Sequence, residues 1–78
     1  MPTVFVWRGY RFFFYSNEGA EPAHVHVTSQ GHECKFWLVD ITVAKNSGFP
    51  PHDLTAIAKH IAVHRRRLQT AWSDHFGH

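Results

Sequence analysis

The chain has 78 residues, 44% of them hydrophobic and 15% aromatic, with a net charge of +2 when histidine is counted neutral. That length suits one domain, residues 1–78, close to the lower limit for a self-supporting core, and the apolar content is too high for a disordered chain. No apolar run approaches the ~20 residues of a membrane span, the N-terminal "MPTVFVWRGY" lacks the basic-then-apolar layout of a leader, and the single cysteine, Cys34, has no intramolecular partner, so a cytoplasmic location is expected.

The first two segments, "TVFVW" and "YRFFFYS", are β-branched and aromatic. Arg8-Gly9 between them is a tight-turn candidate, so they read as a hairpin. "NEGAEP" breaks both helix and strand and reads as a loop. "AHVHVTS" and "HECKFWLVD" alternate polar and apolar residues around Gln30-Gly31, which predicts a second hairpin. "ITVAKN" is expected to form a short helical turn, stopped by Ser47-Gly48. "GFPPHD" reads as a turn, with Asp53 as the N-cap of the next segment. That segment, "LTAIAKHIAVHRRRLQTAWSDHF", contains no Gly or Pro and reads as the one major helix, closed by Gly77. The expected fold is α+β: a small antiparallel sheet of three to four strands over residues 3–39, a short helical turn, and one long helix over 53–76 packed on a sheet face.

Alternation sorts the sheet into two faces. Val25 and Val27, Cys34, Phe36 and Leu38, and Tyr10, Phe12 and Phe14 form an apolar face. Arg11, Phe13, Tyr15, His24, His26, Lys35 and Trp37 form a mixed aromatic, basic and imidazole face. On the helix, Leu54, Ile57, Ile61, Leu68 and Trp72 share a stripe, Arg65 falls within it, and His64 and His75 lie at its edge. The pattern leaves open which face the helix covers. If it covers the Val25/Val27 face, the histidines are exposed with the aromatic platform; if it covers the face of His24 and His26, His64 approaches them, and the apolar face is left for a second copy of the chain.

Three histidines from separate segments, His24, His26 and His64, can ligate a divalent metal such as zinc with one position open. The same rings can serve as acid and base in phosphodiester cleavage, with Arg11, Lys35 or Arg65 holding the phosphate and Glu18 orienting a histidine. A third reading is structural: His24 and His26 are hydrogen-bonded strand residues and His64 is a satisfied interface histidine. Charge is uneven. Residues 1–40 carry three basic and four acidic groups, and residues 41–78 carry five basic and two acidic groups. The basic half can attract phosphates or form a solvated helix face. Phe13, Tyr15 and Trp37 can stack nucleic-acid bases, or can be covered by the helix or a protein partner. Cys34 alternates into the apolar face and reads as a small buried residue.

The opening "MPT", then "GYRFFFYSNEGAEPAHVHV", "KFWL" and "HRRRLQTAW", in that order, resemble the small bacterial family called domain of unknown function 4160. The pattern carries over to Asn17, Glu18, His24, His26, His64 and Trp72. The chain departs from it at Arg66 and Arg67, where related sequences often have acids, and at Pro22-Ala23, where they often have two prolines. Members are often encoded beside a second small uncharacterised domain in a layout like a toxin–antitoxin pair. The resemblance therefore implies a toxin-like protein with a small cognate partner, directed at RNA or DNA. An activity of the small hydrolase or ribonuclease type would fit that role, and a non-catalytic binding module is the alternative.

Overall fold

The computed structural model describes residues 3–78; Met1 and Pro2 of the family-like opening lie outside them. Five strands, β1 (Thr3–Trp7), β2 (Tyr10–Phe13), β3 (His24–Ser29), β4 (His32–Trp37) and β5 (Thr42–Ser47), form one sheet in consecutive antiparallel order. Both expected tight turns are present. Arg8 and Gly9 have φ of 50° and 80°, and Gln30 and Gly31 have φ of 50° and 82°. Positive φ at both central residues matches the twist of the flanking strands and closes each hairpin with two residues.

"ITVAKN" is not a helical turn. It is strand β5, paired with β4 from Glu33↔Ser47 to Trp37↔Thr42. A six-residue segment gains little from helix formation alone. Here it satisfies its backbone on the open edge of β4, and Ile41 at φ 55° turns the chain into it. Thr42 Oγ1 donates to Asp40 Oδ1 at 2.7 Å, which braces that turn. At the far end Asn46 brackets Phe49, donating to its carbonyl and accepting from its amide.

The single long helix is two: α1 (Pro51–Val63) and α2 (Arg65–Phe76). His64, at φ −106° and ψ 16°, leaves helical geometry between them. No proline or glycine stands at this break. The His64 amide still donates to His60, and its carbonyl still accepts from Leu68. α1 also starts two residues before Asp53. Pro50 is the cap and Pro51 the first helical residue, where a missing N–H costs nothing. Asp53 sits in the first turn, favourable to the helix dipole. Gly77 closes α2 in the left-handed conformation, as expected.

The helices cover the apolar face. Phe12, Phe14, Val25, Val27, Cys34, Phe36 and Leu38 pack against Ile57, Ile61, Leu68 and Trp72, all fully or nearly fully buried. Each such side chain contributes roughly 1.5–3 kcal/mol by leaving water. Among the described residues no helix is long and apolar enough to cross a membrane.

Candidate functional site

The β2–β3 connection builds the site. It runs past the end of α2, where a Cβ on Gly19 would meet Phe76 Cδ1 at 2.8 Å, so only glycine fits there without a shift. The Gly19 carbonyl also lies 2.6 Å from His78 Nε2. The Glu21 amide donates to the Glu18 carbonyl at 3.1 Å, closing a tight turn. Tyr15 N–H donates to Glu18 Oε1 at 3.3 Å. Held this way, the Glu18 carboxylate reaches the start of β3. Its Oε1 lies 3.0 Å from His24 Nε2 and 2.7 Å from His26 Nε2.

Both rings are fixed in place and buried, not exposed as expected for helices on the Val25/Val27 face, because Glu18 of the β2–β3 connection and aromatic neighbours cover them. His24 is fully buried, tilted on Trp72 at 4.8 Å and edge-on to Trp37 at 5.7 Å. Its Nδ1 lies 2.8 Å from the Pro22 carbonyl. His26 is 6% exposed, stacked on Phe13 at 5.5 Å and edge-on to Tyr15 at 4.5 Å. Its Nδ1 lies 3.5 Å from Glu33 Oε2. Tyr15 O–H donates to the same Glu33 carboxylate at 3.1 Å.

The electrostatics arise from burial and neighbours. Burial pushes the Glu18 carboxyl up, but the two imidazoles beside it outweigh burial and hold it below its ordinary value. Burial pushes His26 down, and the Glu18 carboxylate only partly restores it. Burial raises the Tyr15 hydroxyl, and its bond to Glu33 raises it further. At neutral pH the cluster therefore holds an ionised carboxylate beside a neutral His26 ring.

Next to it lies a cleft of about 380 Å³ lined by Tyr15, His26, Glu33, Lys35, Lys45 and Ser47. Lys35 and Lys45 are cross-strand partners. Lys35 pairs with Glu21 and lies over the Trp37 ring at 4.6 Å. Lys45 has no acidic partner among the described residues.

The structure thus brings Glu18, His24 and His26 together, with Lys35 alongside. It does not bring His64 or Arg65 to them. The helices lie on the Val25/Val27 face, so the His64 ring packs on Phe5 at 5.3 Å and on His60 at 4.5 Å. The expected three-histidine ligand set is replaced by two histidines and a carboxylate, whose donor atoms lie within 4.8 Å of one another. Arg65 donates to the Val39 carbonyl and ties α2 to the β4–β5 turn. Arg11 shares the open face, its guanidinium 4.5 Å from the Phe13 ring.

Three site residues escape sequence reasoning. Glu33 shares the alternation face of Lys35, and that is its available signal. Tyr15 stands out in the sequence only as a stacking platform. Lys45 is hidden because its strand reads as helical.

The fold and cluster define a small α+β protein with a histidine–carboxylate site at one end of an open sheet. The family model for a domain of unknown function, DUF4160, matches residues 9–73, and the chain belongs to that family. No curated protein and no solved structure matches it.

Proposed function

We propose that the protein is a small hydrolase acting on RNA through the Glu18–His24–His26 cluster, with the phosphodiester held in the adjoining cleft. The observation that carries this reading is the cleft itself, which joins His26 to the facing pair Lys35 and Lys45. Lys35 is already paired with Glu21, so Lys45 is the charge left without an acidic partner among the described residues, and an anionic group in the cleft would give it charge-assisted hydrogen bonds. The setting proposed with it is a toxin-like pair with a small cognate protein, as the family resemblance implies.

A labelled single-stranded RNA incubated with pure protein, with Zn²⁺, Mn²⁺ or Mg²⁺ supplied, tests this. Cleavage is expected from the wild type and is expected to fall by roughly 10²-fold or more in His26→Ala, the usual scale for a group acting in the chemical step. Lys45→Gln should raise KM more than it lowers kcat, because it removes ground-state and transition-state binding alike. Wild-type protein that binds this RNA without cleaving it under all three metals overturns the hydrolase. That outcome supports a second reading, a nucleic-acid-binding module, which the half-buried Trp37 with Lys35 over its ring favours; Phe13, expected to stack bases as well, is 1% exposed and is not available for that. Neither binding nor cleavage overturns both.

A further inference from the structure

We propose that Glu18, His24 and His26 bind one divalent transition-metal cation of the zinc class, through the carboxylate and the Nε2 atom of each ring. His24 Nδ1 faces the Pro22 carbonyl at 2.8 Å, with the Glu21 carboxylate 3.8 Å away on the same side. Both are acceptors only, so Nδ1 carries the proton. In the neutral form of the ring Nε2 then turns a bare lone pair toward Glu18 Oε1, 3.0 Å away, a contact that only a second ring proton or a bound cation can bridge. His24 is fully buried and its Nε2 makes no hydrogen bond. A buried, unpartnered acceptor aimed at a carboxylate is the arrangement that a cation between them resolves.

His26 leads to the same place. Its Nε2 lies 2.7 Å from Glu18 Oε1, and its buried Nδ1 is without a hydrogen bond, 3.5 Å from Glu33. With the proton on Nε2, the ring turns a second bare lone pair toward the Glu33 carboxylate. A metal at Nε2 moves that proton to Nδ1, where Glu33 accepts it. Each ligating ring then donates its other N–H outward, His24 to a carbonyl and His26 to a carboxylate, the usual outer support of metal-bound histidine. Spacing agrees. Tetrahedral ligands about 2.1 Å from a metal lie about 3.4 Å apart, and the observed separations from Oε1, 2.7 and 3.0 Å, with all three donor atoms within 4.8 Å of one another, need to open by only a few tenths of an ångström to admit one. Two imidazoles and one carboxylate suit a borderline cation, while magnesium and calcium prefer all-oxygen sets. The Glu18 side chain retains 17% exposure, so the cluster is not sealed from solvent. When bound, such a metal supplies an activated water at neutral pH. The inference deepens the function proposed above and rests on it for that role only, since the site itself is testable without RNA.

The test is calorimetric titration of chelator-treated protein with ZnCl₂, and with CoCl₂ read by its visible absorption. One equivalent is expected to bind. Glu18→Gln, which keeps size and fold, should weaken binding at least tenfold, the scale on which ligand shells respond. His26→Gln should do the same, with the fold of each variant checked by circular dichroism. The paired substitution His60→Gln with His64→Gln should leave the affinity unchanged, because those rings face the other layer. Absence of binding in the wild type overturns the proposal. So does binding that survives Glu18→Gln and His26→Gln but is lost with His60 and His64. Metal binding without RNA cleavage leaves this site standing and removes the hydrolase; cleavage without metal binding does the reverse.

Discussion

At the scale of single residues, burial decides chemistry. Phe13 and Tyr15 hold the His26 ring from two sides, and Glu33 holds Tyr15. The ring therefore has little freedom to leave the cluster. Cys34 shows the same control in the opposite sense. It is 1% exposed, and burial pushes its thiol up to about 12, with the Glu33 charge adding to the effect. At about pH 8 roughly one molecule in ten thousand would carry the nucleophilic thiolate. The native protein should therefore resist a thiol reagent such as iodoacetamide, and should react completely once unfolded in guanidinium. Mass spectrometry of the two samples checks this, and rapid modification of the native protein would contradict the burial.

Among the elements, β5 depends on how it is closed. Gly48 comes directly after it at φ +106°, and a Cβ there would meet His32 Nδ1 at 2.2 Å. The His32 ring is packed edge-on against Phe49 at 5.4 Å, so moving it aside gives up that contact. Gly31 has a similar positive φ of +82° but open space around it. The two positions separate backbone strain from crowding. Gly31→Ala should cost about 1–2 kcal/mol, the left-handed penalty alone. Gly48→Ala should cost about 2–4 kcal/mol, because overpacking adds to that penalty. Urea unfolding of the two variants measures the difference, and equal losses would mean that His32 does not hold its place.

Over the whole molecule, two layers meet along an aromatic seam, and the titratable ring of His60 lies in it. His60 stacks on Trp7 at 3.9 Å and touches Phe5 and Phe12, joining α1 to the first hairpin. Burial lowers its value below the ordinary 6.5, and the nearby His64 and Arg8 lower it further. An imidazole with a lower value folded than unfolded takes up protons more readily when unfolded, so protonation favours unfolding. The stabilising contribution is complete above about pH 6.5 and is lost as pH falls through the lower folded-state value. Thermal midpoints should therefore fall between about pH 7 and pH 5, and His60→Gln should fall less steeply over the same range. Parallel slopes for the two proteins would remove His60 as a source of the dependence.

Strand alternation, two-residue turns and the helical stripe were legible in the residues themselves, because each is a local repeat. They supplied the first four strands, the Arg8-Gly9 and Gln30-Gly31 turns, the buried stripe from Ile57 to Trp72 and the Gly77 cap. The pairing of His24 with His26 was legible for the same reason, since two residues on a strand share a face. The rest depended on contacts between distant segments. β5 became a strand only because β4 had an open edge. The helix yields at His64 with no local breaker. His64 stands apart from His24 and His26 because the covered face was decided by packing, which buries Val25, Val27 and Phe36 beneath the helices. Glu18 moved from an orienting loop acid to the centre of the cluster because Gly19 lets its loop pass close to Phe76. Periodicity along the chain sets which side chains share a face; only closure of the tertiary structure sets which faces and loops meet.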